Sequence, residues 1–181
     1  MKLHKTVVLV GMMGAGKTAV GKELARLLAV PFRDSDEEIV AASRMTIAEI
    51  FARDGEAFFR AREAEVIARL LRGTPAILSV GGGAYLNADT RALISDLGVA
   101  VWLKADLDLL WSRVRHKTTR PLLQTDDPRQ TLSDLLDARA PVYALADLVV
   151  HSQPGYSVID MARAVMAELQ TRADVLEGSS E

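Results

Sequence analysis

The chain has 181 residues, about half of them apolar, and a formal net charge of −2. That is enough for one domain with a sizeable core, and it lacks the general basic field that holds nucleic acid. No cysteine occurs, which excludes a disulfide framework and a cysteine metal site and suits a reducing, cytoplasmic setting.

The first residues, Met1 to Lys5, run directly into an apolar segment, so no leader peptide is expected. No stretch approaches the ~18 apolar residues of a membrane span, so neither membrane nor nucleic acid is expected as a partner. Thr6 to Val10 is a β-branched apolar run, the expected buried strand. Gly11-Met12-Met13-Gly14-Ala15-Gly16-Lys17-Thr18 follows and fits G-x-x-x-x-G-K-[ST], the phosphate-binding P-loop. Glycines let such a loop curl so that successive N–H groups face a phosphate chain. Lys17 can then reach the terminal phosphates, and the Thr18 hydroxyl can ligate Mg²⁺. Gly14, Ala15, Gly16, Lys17, Thr18 and Ala19 are the candidate nucleotide-binding residues, and Met12 and Met13 read as packing. Val20, Leu24, Leu27 and Leu28 recur at helical spacing and predict a helix over 17–28, with Pro31 after its end.

Phe32 to Asp34 reads as a short strand, and Ser35-Asp36-Glu37-Glu38 opens an amphipathic helix carrying Ile39 and Val40. Alternation along an extended backbone would put Asp34 and Asp36 on one side; simple capping of the next helix is the alternative reading of the pair. Thr46 and Glu49 form a capping box for a helix through Phe51 that stops near Gly55. A longer helix follows over about 57–71. Phe58 and Phe59 are expected in the core, so that Arg60 emerges beside packed structure, while Arg62 reads as solvated. Ala76 to Val80 is the next buried strand. Gly81-Gly82-Gly83 follows at once, and three glycines in a row suggest close approach to the backbone. Asn87 caps a helix holding Leu93, Ile94 and Leu97; Val99 to Leu103 is a strand; Asp106 starts a helix with Leu107, Leu110, Trp111 and Val114 on one face. Residues 115–127 show no periodicity, and loops of that length are often lids. Asp127-Pro128 starts another helix, stopped by Pro141 shortly after Arg139. Leu148 to Val150 is the last strand, a final helix covers 157–172, and the chain closes in a polar tail. The alternation of strands and helices argues an α/β fold with a parallel sheet, whose ligands bind outside the carboxyl ends of the strands. The P-loop, Asp34/Asp36, the triple glycine and the segment after Val150 all fall at such ends.

The ordered set GMMGAGKT, RDSDEEI, GEAFFRAREAE, SVGGGAYL, RPLL and RAPVYALAD resembles the shikimate kinases, within the nucleoside-monophosphate-kinase-like group of P-loop proteins, from Val7 to about Leu169. The resemblance implies a P-loop three-layer α/β fold with a five-stranded parallel sheet. It implies a single domain over 1–172 with a helical substrate-binding insertion over about 34–62, a mobile lid over about 113–127, and a polar tail over 173–181. It also implies ATP-dependent phosphorylation of the 3-hydroxyl of shikimate, in aromatic amino-acid biosynthesis, by a cytoplasmic monomer that uses Mg²⁺. On that resemblance Asp34 is the metal-side carboxylate beside Thr18, and Asp36 the substrate-side one. Arg60, Arg139 and the N–H groups of Gly81, Gly82 and Gly83 bind the acceptor. Arg120, in Arg120-Pro121-Leu122-Leu123, closes on the transferring phosphoryl, so Lys17, Asp36 and Arg120 are the candidate catalytic residues. Arg113 resembles the residue that stacks on adenine, with Arg115 as the alternative register, and Gln153-Pro154 resembles the adenine-flanking loop. Ser79 is a further candidate near the metal's waters. Two arginines suit a carboxylate, because each presents a planar fork that lysine lacks. A kinase for another hydroxy acid such as gluconate is the near rival, and a non-catalytic nucleotide-binding module is the rival from another class.

Overall fold

The structure, a computed structural model, describes residues 1–117 and 123–178. Its strands are β1 (Lys2–Leu3), β2 (Thr6–Val10), β3 (Phe32–Asp34), β4 (Ile77–Ser79), β5 (Gly98–Lys104), β6 (Leu148–His151) and β7 (Leu176–Glu177). Its helices are α1 (Lys17–Leu28), α2 (Ser35–Ser43), α3 (Ile47–Leu71), α4 (Ala88–Leu97), α5 (Leu107–Val114), α6 (Pro128–Tyr143) and α7 (Val158–Leu169).

Five strands form one parallel sheet in the order β3-β4-β2-β5-β6. Every residue of β2 is buried, which for a strand with alternating side chains means that both faces are covered. β5 is likewise buried from Gly98 to Leu103, and pairs with β2 from Thr6↔Gly98 to Val10↔Trp102. After β2 the chain moves to one side of the sheet for β3 and β4, then crosses β2 to form β5 and β6. The P-loop therefore leaves the sheet where the strand order reverses, the place where such sheets leave a crevice. α1 packs closely here: a side chain at Gly21 would lie 2.7 Å from the Phe32 ring.

α2 and α3 carry a small core of their own, Ile39, Ile50, Phe59 and Val66, beside the main one. α3 is broken at Gly55, whose φ of 83° and ψ of 173° belong to neither helical half. The expected stop near Gly55 is thus a kink between two segments. Phe59 is buried but Phe58 is exposed, because adjacent helical residues point about 100° apart and cannot share one core. Pro141 does not stop α6: the helix continues to Tyr143, which is fully buried. A proline in the last turn removes one hydrogen bond near an end whose carbonyls are already unpaired.

The tail expected from residue 173 is structured through Glu177. Val175 and Leu176 are buried, and β7 pairs antiparallel with β1. The final helix accordingly ends at Leu169 rather than Arg172. Among the described residues no helix is long and apolar enough to cross a membrane. Arg120 and the neighbouring lid-motif residues Pro121 and Leu122 lie outside the described residues, as do 179–181.

Candidate active site

α1 starts differently from most of its neighbours. α2, α3, α4, α6 and α7 each begin with a side chain that accepts hydrogen bonds from first-turn N–H groups. α1 begins at Gly16, which is left-handed (φ 90°) and offers no side chain. No side chain caps its first turn, and the helix dipole at that end attracts an anion. Gly11 and Gly14 also have positive φ, and a side chain at Gly14 would meet Val114 at 2.7 Å. The ammonium of Lys17 donates to the carbonyls of Gly11 (2.7 Å) and Met12 (3.0 Å), folding over the loop it belongs to.

A cavity of about 600 Å³ opens beside this loop. Lys17, Thr18 and Ala19 line it on one side, Asp34, Asp36, Ser79 and Arg60 on another, and Gly81, Gly82, Gly83 and Arg139 on a third. Gly82 and Gly83 each leave room for a guanidinium, and Gly81 lies beside the Asp36 carboxylate. A Cβ on Gly81 would sit 3.5 Å from the Asp36 carboxylate, one on Gly82 2.9 Å from the Arg139 guanidinium, and one on Gly83 at the Arg60 guanidinium itself. The tripeptide is a bed in which one carboxylate and two guanidiniums lie side by side.

Asp34 and Asp36 reach this cavity by another route than strand alternation, because helix α2 already begins at Ser35. Asp34 does cap that helix, its Oδ1 accepting from the N–H groups of Asp36 (2.9 Å) and Glu37 (3.2 Å). Both bonds fall on one oxygen, so capping and a second role are compatible. The register Asp34↔Ser79 puts β3 and β4 side by side at the cavity. Mg²⁺ takes few protein ligands and keeps several waters. The donor set here, one carboxylate and one hydroxyl on a phosphate loop, fits that demand.

Burial pushes the Asp36 carboxyl above its ordinary value and the charge of Asp34 adds to this, against the pull of Arg60 and Lys17. Glu63, buried in the same cavity, is also pushed up by burial, opposed by its 2.7 Å ion pair with Arg60.

A second cavity of about 500 Å³ lies on the other side of the P-loop, lined by Gly14, Ala15, Gly16, Arg113, Ser152, Tyr156 and Ser157 among others. Arg113 donates to the Gly14 carbonyl (3.0 Å) and to the Ser152 hydroxyl (3.3 Å), joining the P-loop to the segment after β6. Burial pulls its pKa down. Of the two arginines, Arg113 lines this cavity, whereas Arg115 donates to His116 and lines a smaller pocket beside Trp111. Gln153 is exposed and lines neither cavity; its neighbours Ser152 and Tyr156 do so instead. Gly16 and Lys117 line both cavities, so the path from one to the other runs over the P-loop.

The sequence model of the shikimate kinases matches residues 13–170. A shikimate kinase of Ruegeria pomeroyi is 63% identical over 175 residues, covering 97% of this chain and 90% of that protein. The chain belongs to the shikimate kinase family. A second family member, from Cereibacter sphaeroides, is 65% identical over 176 residues, covering 97% of this chain and 88% of its own length. Among solved structures, the shikimate kinase from Acinetobacter baumannii in complex with shikimate is 38% identical with a TM-score of 0.85, covering 92% of this chain and 93% of that one.

At or beside the first cavity, four residues escaped the sequence reading. Glu63 was hidden in a helix full of charges, and only its spacing of three from Arg60 hints at the pair. Ile47 and Phe51, which wall the first cavity, look like ordinary core positions of a capped helix. Tyr143 sits in the quoted RAPVY motif, but nothing local shows where its hydroxyl ends.

Proposed function

We infer that this enzyme transfers the γ-phosphoryl group of ATP to the 3-hydroxyl of shikimate, giving shikimate 3-phosphate and ADP, a step of aromatic amino-acid biosynthesis. The observation that carries this is the bed of glycines: two guanidiniums and a carboxylate converge beside a P-loop, a set matched to a small carboxylate bearing hydroxyls. In this reading the base of ATP enters the second cavity against Arg113, and the phosphates cross the P-loop toward Lys17. Arg60 and Arg139 hold the acceptor carboxylate. Asp36 accepts a hydrogen bond from the 3-hydroxyl and takes its proton as the new O–P bond forms. Arg120, assigned from its motif alone, would stabilise the charge on the moving phosphoryl. Thr18 and Asp34 would hold Mg²⁺, which neutralises charge on the β- and γ-phosphates when bound. Positioning and charge stabilisation carry such a reaction, since little covalent chemistry is asked of the protein. The reading includes a cytoplasmic monomer that needs no nucleic acid or membrane.

The test is ADP release from Mg-ATP by the purified protein with shikimate, gluconate or AMP as acceptor. Release with shikimate and not the others is expected, and Lys17→Ala is expected to abolish it. Release with gluconate in place of shikimate would overturn the acceptor assignment and leave the phosphate site standing.

A further inference from the structure

Tyr143 is fully buried at the end of α6, one helical turn beyond Arg139. Its phenol donates to the carbonyl of Gly82 at 2.6 Å. The positive charge of Arg139 acts on the same oxygen, and a Cβ on Gly82 would lie 3.5 Å from it. A phenol has one proton to give, and here it goes to the carbonyl, which leaves the oxygen's lone pairs on the side of the neighbouring positive charge. The ring packs on Trp102, with centroids 5.9 Å apart. Phenol and arginine thus meet at one glycine, with the phenol bonded to its peptide and anchored in the core.

The Gly82 carbonyl and the Gly83 N–H belong to one rigid peptide plane. Holding the carbonyl fixes the direction in which that N–H points. Arg139 also lies over Gly82, 2.9 Å from where its side chain would be. An arginine that binds a carboxylate through both arms must be held in angle as well as position. Solvent cannot replace the tie, since Tyr143 has no exposed surface.

We propose that Tyr143 is a positioning residue for the acceptor: its hydroxyl sets the Arg139 guanidinium and the Gly82–Gly83 peptide in one fixed relation, so that the carboxylate meets a ready-made face. The proposal rests on the reading of this cavity as the shikimate site. Tyr143 itself need not touch the acceptor.

Tyr143→Phe keeps the ring on Trp102 and removes only the hydroxyl. Its KM for shikimate is expected to rise about five- to tenfold, the range set by one buried hydrogen bond, with the KM for ATP unchanged. The effect of Arg139→Lys on the shikimate KM is expected to shrink in the Tyr143→Phe background, since both changes break one linked unit. A merely structural role would lower the melting temperature and leave the ratio of the two KM values as it was; that result overturns the proposal, as does strict additivity with Arg139→Lys. A wild-type protein that releases no ADP with shikimate overturns the reading of the site and this proposal together. Wild-type turnover with an unshifted shikimate KM in Tyr143→Phe overturns this proposal alone.

Discussion

Alanine in place of Gly81, Gly82 and Gly83 separates three substitutions that look alike in the sequence. At Gly81 the added methyl makes ordinary contact with Asp36 at 3.5 Å, and little change is expected. At Gly82 and Gly83 it meets the mobile ends of Arg139 and Arg60, so the fold survives but the guanidiniums are displaced. The shikimate KM is expected to rise in the order Gly81→Ala, Gly82→Ala, Gly83→Ala, with melting temperatures within a few degrees of each other; a flat series would refute the bed-and-occupant account. Asp36 adds a pH signature. Its ordinary value is 3.8 and burial raises it, so the acid limb of kcat/KM for shikimate is expected above that pH. A carboxyl raised in the folded state stabilises the fold while protonated, and that contribution fades as pH rises through the folded pKa. Ionised Asp36 therefore opposes stability at neutral pH. Asp36→Asn is expected to melt higher than wild type at pH 7–8 while losing shikimate turnover, and a lower melting point would contradict the burial argument. The sequence announced the glycine run as a place of close approach, because no turn needs three. The occupants were named by the family resemblance and not by the run itself, because they arrive from α2, α3 and α6 and meet only when the sheet closes. Gln153 is exposed while Ser152 beside it is buried, and a short loop without an apolar pattern gives no sign in the sequence of which side chain turns inward.

At the scale of elements, the strands and helices of the main sheet were readable because burial imposes its pattern on them. β2 is apolar from Val7 to Val10, and α1, α4 and α7 each show one apolar stripe. Two-residue strands such as β1 and β7 have no period to read, and Pro141 misled because its cost depends on its distance from the helix end. Gly55 shows what an element boundary does. It has no neighbour within 4 Å of a prospective Cβ, so only backbone conformation resists a side chain there. Gly55→Ala is expected to cost ~1–3 kcal/mol by forcing alanine into a region nearly reserved for glycine. Because the small core of α2 and α3 carries Asp36 and Arg60, the same change is expected to raise the shikimate KM and spare the ATP KM. Denaturant unfolding and steady-state kinetics would check the two halves, and unaltered stability would show that the kink is soft.

Across the whole molecule, the two ends of the chain hold each other. The backbone N–H of His4 donates to the Val175 carbonyl at 2.8 Å, and Asp174 is gripped by Lys5 at 3.0 Å and Arg172 at 2.7 Å. Hydrogen bonds from Arg172 and Lys5 keep the Asp174 carboxyl well below its usual range. A depressed carboxyl contributes stability above its unfolded pKa and loses it as pH falls toward the folded one, so this clasp weakens in acid. A chain ending at Arg172 forfeits the burial of Val175 and Leu176, each worth about 1.5–3 kcal/mol at most. Its melting temperature is expected to fall on the order of 10 °C by calorimetry, and an unchanged value would mean the clasp is ornamental. The position of the clasp has a practical side. It adjoins the amino end of β2, while the P-loop leaves the carboxyl end, about 13 Å along the strand. A linker grafted beside the clasp would moor the enzyme to a bead or an electrode with the P-loop end of the sheet turned outward to the bulk liquid.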